Sequence, residues 1–235
     1  MRKLACLVLL TMLAMFAGGC HGNFGPRIKG SGKRELQKRQ VAPFTSISTE
    51  GAFTIEVTCQ KDQSLEVEGD DNVLEYVGTD VSGNVLRLKN TKNYSISEPV
   101  KVRISVPNLE GFSSNGAGRI DIKGINNDKF EIDANGAPTI IVSGTTKVID
   151  IGANGAVKVD TTKLRASRGV VDTNGASRVD LDVTDQLDAT VNGPSTVTYK
   201  GDPVVNKTVR GPGKVERRGS EGAWMILEAG ASRPS

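Results

Sequence analysis

The acidic run "DLDVTD" places Asp180, Asp182 and Asp185 within six residues. Carboxylates two apart on a strand share a face, so acids on neighbouring strands could hold Ca²⁺ or act as acid and base on a polysaccharide. "GDDN" at 69–72 reads as a turn, because the spacing of a calcium loop is missing. The single histidine, His21, lies close to the N-terminus. A His-dependent triad and a His-rich metal site are thereby excluded from the folded part. Cys59 has no histidine partner. It falls on the alternating apolar face of "FTIEVTC" with Phe53, Ile55 and Val57, and reads as a buried small hydrophobe. The Gly-rich "GAGRIDIKG" lacks the following helix and the Lys-Ser/Thr pair of a phosphate loop. No catalytic residue, metal site or cofactor is assigned.

The elements that would carry these residues follow from a repeat. The chain has 235 residues, 27 of them Gly, with only 4% aromatics, a mixture that favours strands and turns. Asn-Gly recurs at Asn115-Gly116, Asn135-Gly136, Asn154-Gly155, Asn174-Gly175 and Asn192-Gly193, with a degenerate Arg210-Gly211. The period of about 18–20 residues marks a repeat architecture. Five positions after each corner stands a β-branched apolar residue, Ile120, Ile140, Val159, Val179, Val197 or Val215. Three before it stand Phe112, Ile132, Ile151, Val171, Ala189 and Lys207. Each unit therefore has one strand leading into a corner and one leading out. Asn-Gly also suits hairpins, but a meander reverses at each turn and would stack like turns only at every second hairpin. A parallel β-helix stacks every one. Its corners use Gly for positive φ and Asn, which tolerates the left-handed region. Asn side chains about 4.8 Å apart could form an amide ladder.

Four and six positions after the corners run matched columns. Arg119, Lys158, Arg178 and Lys214 are followed by Asp121, Asp160, Asp180 and Glu216. Thr139 and Thr196 are followed by the uncharged Ile141 and Thr198. These columns predict a neutralised, salt-bridged exposed surface.

The N-terminus has a different logic. "MRKLACLVLLTMLAMFAGGC" opens with Arg2 and Lys3, continues with a short apolar run and ends in small residues, the pattern of an export signal. "AGGC" resembles a bacterial lipobox, which would make Cys20 the lipidated mature N-terminus. Ala17 stands where that pattern has Leu, so plain cleavage after Gly19 is an alternative. By resemblance to the bacterial sorting rule, His21 rather than Asp after the cysteine points to the outer membrane. The partners expected are the membrane, through the lipid anchor, and an envelope protein or glycan. The formal charge is +3, and +1 once Arg2 and Lys3 are removed (28 basic, 27 acidic), which argues against nucleic acid. Locally basic "GKRELQKRQ" at 32–40 reads as a solvated tether or a headgroup contact.

"VAPFTSISTEG", "EVEGDDNVLEYV", "KVRISVPNLEGFSSNGAG" and the later "NGA" corners together resemble the DUF2807 family, named for an autotransporter-adhesin head or GIN domain, over Val41 to Arg218. The resemblance implies a right-handed parallel β-helix. The family corner reads Ser-Gly-Ala-Gly, with Asn replacing Ser here. The expected organisation is a signal peptide over 1–19, a lipid-anchored tether over 20–40 and an N-terminal β section or cap over 41–107. Repeated rungs fill 108–218, and a C-terminal cap and tail 219–235, in which Trp224 to Leu227 are expected to cover the last rung, with insertion into a partner or contact with lipid as alternatives. The expected function is that of a non-enzymatic, exported outer-membrane lipoprotein presenting a rigid surface for adhesion or envelope binding. A polysaccharide-acting enzyme using carboxylates and calcium is the alternative. An outward groove with three or more carboxylates unpaired with Lys or Arg would favour the enzyme.

Overall fold

The structure, a computed structural model, describes residues 27–219. The expected signal peptide, Cys20, His21 and Trp224 to Leu227 lie outside those residues. The chain is all-β, a parallel β-solenoid of about five turns. Long strands such as Arg119–Gly136, Thr139–Gly155, Lys158–Gly175 and Arg178–Asn192 each wind through most of a turn. Successive windings pair in parallel, and the corner residues meet in register: Asn115 with Asn135, then Asn154, Asn174 and Asn192. The stack forms because alternate residues point inward at matching heights. Ile120, Ile140, Val159, Val179 and Val197 fill one inward column, and Phe112, Ile132, Ile151, Val171 and Ala189 another. All ten are buried in one continuous core.

Two long sheet surfaces meet at the corner. Face A holds the strands after it and face B the strands before it. On face A the order runs from Arg34–Lys38 through Ser64–Asp70, Lys101–Val106 and Thr54–Cys59 to the Arg119, Thr139, Lys158, Arg178, Thr196 and Lys214 levels. On face B it runs from Val77–Ser82 through Val85–Asn90 and Ser46–Glu50 to Gly111–Gly116 and on to Val204–Arg210.

The N-terminal section contains both rungs and a cap. Ser46–Glu50 with Thr54–Cys59 makes one parallel rung, and Val85–Asn90 with Lys101–Val106 makes the rung beneath it. Spatial order therefore reverses chain order here. Antiparallel strands Val77–Ser82 and Ser64–Asp70 then close the stack, which removes the open parallel edge.

Part of the expected tether belongs to this cap. Arg34–Lys38 pairs antiparallel with Glu66–Asp70, and Ile28–Lys29 pairs with Tyr94–Ser95. The basic residues match an acidic strand. Arg34 lies 3.5 Å from Glu68 and 3.9 Å from Asp70, and Lys38 lies 3.7 Å from Glu66. Arg39 donates to the carbonyls of Val77 and Leu74 and to Thr79 Oγ1, with burial lowering its pKa.

Candidate ligand-binding face

The corners hold two columns. Each Asn side chain donates from Nδ2 to Oδ1 of the Asn below: Asn135 to Asn115 at 3.1 Å, and Asn154 to Asn135, Asn174 to Asn154 and Asn192 to Asn174 at 3.0 Å. This ladder runs along the outer surface. At these corners left-handed backbone falls on the glycines, so the tolerance of Asn for that region is not used; the Asn residues are extended. A Cβ on Gly155 would sit 2.5 Å from the Gly136 carbonyl oxygen, and φ there is +112°. The corners bring the amides together as architecture.

Face A carries the matched columns, but two of the four expected pairs do not form and one acid is buried. Arg178 Nε lies 2.9 Å from Asp180 and Lys214 Nζ 2.8 Å from Glu216. Asp121 pairs instead with Lys123, and Asp160 accepts from the Thr162 amide and hydroxyl. Asp180 is only 4% exposed, and Arg218 also reaches it at 3.4 Å. The acidic run does not converge: Asp182 pairs with Lys200 and Asp185 accepts from Thr184. Among the described residues no three His, Cys, Asp or Glu side chains cluster as a metal site.

Face B differs, and its outward residues are those two and four positions before each corner Asn. The first column reads Ser48, Ser113, Asp133, Gly152, Asp172, Thr190, Thr208 and the second Ser46, Gly111, Glu131, Asp150, Val170, Asp188, Asn206. Three depressions follow these columns. One of about 800 Å³ spans Ser46, Ser48, Ser113, Glu110, Glu131 and Asp133. The next, about 290 Å³, shares Glu131 and Asp133 and adds Asp150, Gly152, Asp172 and the ladder amides Asn154 and Asn174. The third, about 530 Å³, shares Asp172 and continues past Asp188 to Asn206 and Thr208. Together they form one trough along the stack, crossing seven strands or ~29 Å at the usual interstrand spacing.

The trough is acidic at its centre. Lys129 lies 3.4 Å from both Glu131 and Asp150, whose charges raise its pKa. Arg168 bonds Asp188 at 2.8 Å; donation from Asn206, Gln186 and Arg168 holds that carboxyl below the usual range. Asp133 and Asp172 have no Lys or Arg partner among the described residues, and they flank Gly152, where a Cβ would come 2.7 Å from Asp133 Oδ1. Glu110, also in the first depression, accepts from Thr45 and Asn108. Carboxylates, amides and hydroxyls offer a linear track of acceptors to a ligand rich in donors or positive charge. The columns from Ser113 to Thr208 recur at the same period as the corners, but only the columns after the corner draw attention as charge pairs.

A model of the DUF2807 family, described as "Putative auto-transporter adhesin, head GIN domain", matches residues 43–203. Among solved structures, a "putative adhesin" from Bacteroides fragilis is 22% identical, with a TM-score of 0.66, covering 81% of this chain and all of that one. A "putative adhesin" from Parabacteroides merdae is 18% identical, with a TM-score of 0.53 and coverage of 83% and 100%. A "putative lipid binding protein" from Parabacteroides distasonis is 19% identical, also with a TM-score of 0.53 and coverage of 83% and 100%. These likenesses concern the fold. No curated protein matches the chain.

Proposed function

The chain belongs to the DUF2807 family, and from that membership we propose a non-enzymatic envelope adhesin whose working surface is face B. The observation that supports this reading is the asymmetry between the faces. Face A is largely charge-matched within itself, whereas face B carries an acidic trough in which Asp133 and Asp172 lack basic partners. A stack with a continuous core holds such a trough rigid, so little ordering entropy is lost on binding. The ligand is an envelope protein or glycan bearing positive charge or many hydrogen-bond donors. Cys20 carries the lipid that attaches the protein to the outer membrane, and the solenoid projects from that anchor.

The test compares beads coated with the wild-type chain, with Asp133→Lys/Asp172→Lys, and with the face A variant Lys158→Glu, for attachment to envelope and cell-surface preparations. Loss of attachment with the first variant alone, at unchanged melting temperature, supports face B. Loss with Lys158→Glu alone sinks it. Membrane retention of Cys20→Ala would remove the lipid anchor from the proposal.

The enzymatic alternative uses the same carboxylates. Glu110 and Asp133 share one depression, and Asp133 and Asp172 the next, without Lys or Arg partners. Counted along the whole trough these are three unpaired carboxylates, the number set for the enzymatic reading; the asymmetry between the faces supports binding, and a cleavage test separates the two. Cleavage of any uronate polymer by the purified chain in the presence of calcium would overturn the non-enzymatic reading.

A further inference from the structure

The 800 Å³ depression on face B is shaped by what its floor lacks. Ser46, Ser48, Gly111 and Ser113 form an outward block of two levels, Ser46 beside Gly111 and Ser48 beside Ser113. The level above carries Glu131 and Asp133, and the level below carries Val85 and Arg87. Longer side chains thus border small ones at both ends, and the floor measures roughly 5 by 7 Å between Cα positions. A Cβ at Gly111 would meet Ser46 Oγ at 3.3 Å, so the bare glycine is part of the hollow. The side wall is fastened: Asn127 donates to the Leu109 carbonyl at 2.7 Å and accepts from Thr146 at 2.8 Å.

Neutral polar groups converge here without partners. The hydroxyls of Ser46, Ser48 and Ser113 bond to no other described residue. Asn108, at the rim, has a buried Oδ1 with no partner and a single long bond from Nδ2 to Glu110 at 3.4 Å. A buried orphan acceptor is costly, and turning this amide outward would bring it into the hollow. The carboxylates differ. Glu110 accepts from Thr45 at 3.0 Å, Glu131 lies 3.4 Å from Lys129, and Asp128 lies 2.9 Å from Lys147. Charge is therefore mostly met in this depression while hydroxyl and amide groups are not, so the hollow suits a ligand that brings hydroxyls better than one that brings a cation.

We propose that this hollow is the subsite for one neutral sugar ring of a glycan. The floor has the footprint of a single six-membered ring, and the volume lies within the usual range of ligand pockets. Ring hydroxyls meet the three serines, which both donate and accept, and the turned Asn108 amide. One hydroxyl donates to the Glu110 carboxylate in a charge-assisted bond. A uronate is excluded, because Glu110, Glu131 and Asp133 border the hollow and repel it. The inference rests on face B being the working surface and adds the class of ligand that its widest part accepts.

The experiment titrates glucose, galactose, mannose, N-acetylglucosamine and glucuronate into the full chain, followed by ligand-observed NMR. At least one neutral sugar should bind, and glucuronate should not. Ser113→Leu and Ser48→Leu fill the floor from two different strands. Each should weaken that binding at least about tenfold, the equivalent of one lost hydrogen bond to a charged group, at unchanged melting temperature. Thr190→Leu, in the same column but in the third depression, should leave it intact. Binding of no neutral sugar, equal binding of glucuronate, or equal loss with Thr190→Leu overturns the subsite. Displacement of the bead-bound chain from envelope preparations by polylysine and by no neutral sugar would assign the hollow to a cationic protein segment instead. The reading of face B is judged separately. Attachment lost with Asp133→Lys/Asp172→Lys while no sugar binds keeps that face and removes the subsite; sugar binding that Ser113→Leu abolishes, with attachment unaffected by either variant, does the reverse.

Discussion

Asn154 joins the two halves of the ladder, donating to Asn135 and accepting from Asn174. Asn154→Asp keeps the acceptor and turns the donor into a second oxygen facing Asn135 Oδ1. The expected loss is about 1 kcal/mol, that of one net hydrogen bond at an exposed position, read from urea or thermal melting at neutral pH. The carboxylate's pKa would be raised there, so the loss should shrink as pH falls and the protonated acid donates again. Asp188 has the opposite sign. Its folded pKa is lowered by donors from Asn206, Gln186 and Arg168, so its contribution is complete above the ordinary Asp range near about 4. It is lost as pH falls through the folded value. Acid should therefore loosen the contact between the Asn192 and Arg210 windings once the pH passes below the ordinary Asp range, and Asp188→Asn should weaken that pH dependence in hydrogen exchange. Cys59, whose thiol is pushed up to about 11 by burial, was readable as an inert core residue from its place in the alternation.

The corner is the element that makes the stack possible. Gly155→Ala forces a Cβ against the Gly136 carbonyl at 2.5 Å in a left-handed conformation. Strain of this kind costs about 1–3 kcal/mol before the steric contact is added. Gly32, also left-handed at φ +76°, has nothing within 4 Å of its Cβ position. Gly32→Ala should thus be the milder change, and a melting comparison separates close approach from backbone preference. Corner positions and inward columns were readable because period and alternation are local properties. Gly51 was not, although it sits beneath Gly116 in the same column: its neighbour is Glu50, so the Asn-Gly signal is missing.

A solenoid is held by nearest-neighbour interfaces, so its ends behave differently from its middle. The N-terminal end is closed by antiparallel strands locked by Arg39 through the Leu74 and Val77 carbonyls. Arg39→Ala leaves those carbonyls without their charged donor and should remove about 1.5–3 kcal/mol from the cap. Exchange over 74–79 should accelerate while the Asn135 to Asn174 corners keep their protection. Uniform acceleration along the whole stack would instead mean that cap and rungs unfold as one unit.

Period and alternation along the chain specify the parallel stack, its inward columns and its corners, because each depends only on residues one winding apart. The trough required the fold, because its wall joins Ser46 to Glu110 and Glu131, residues from windings that are not consecutive in the chain. Charge pairing also required it. Asp180 accepts a hydrogen bond from Arg218, 38 residues away, and Arg34–Lys38 finds its acidic partner only when the cap folds back on the stack. Linear order carries spacing, whereas the distance between charges is set by which windings become neighbours.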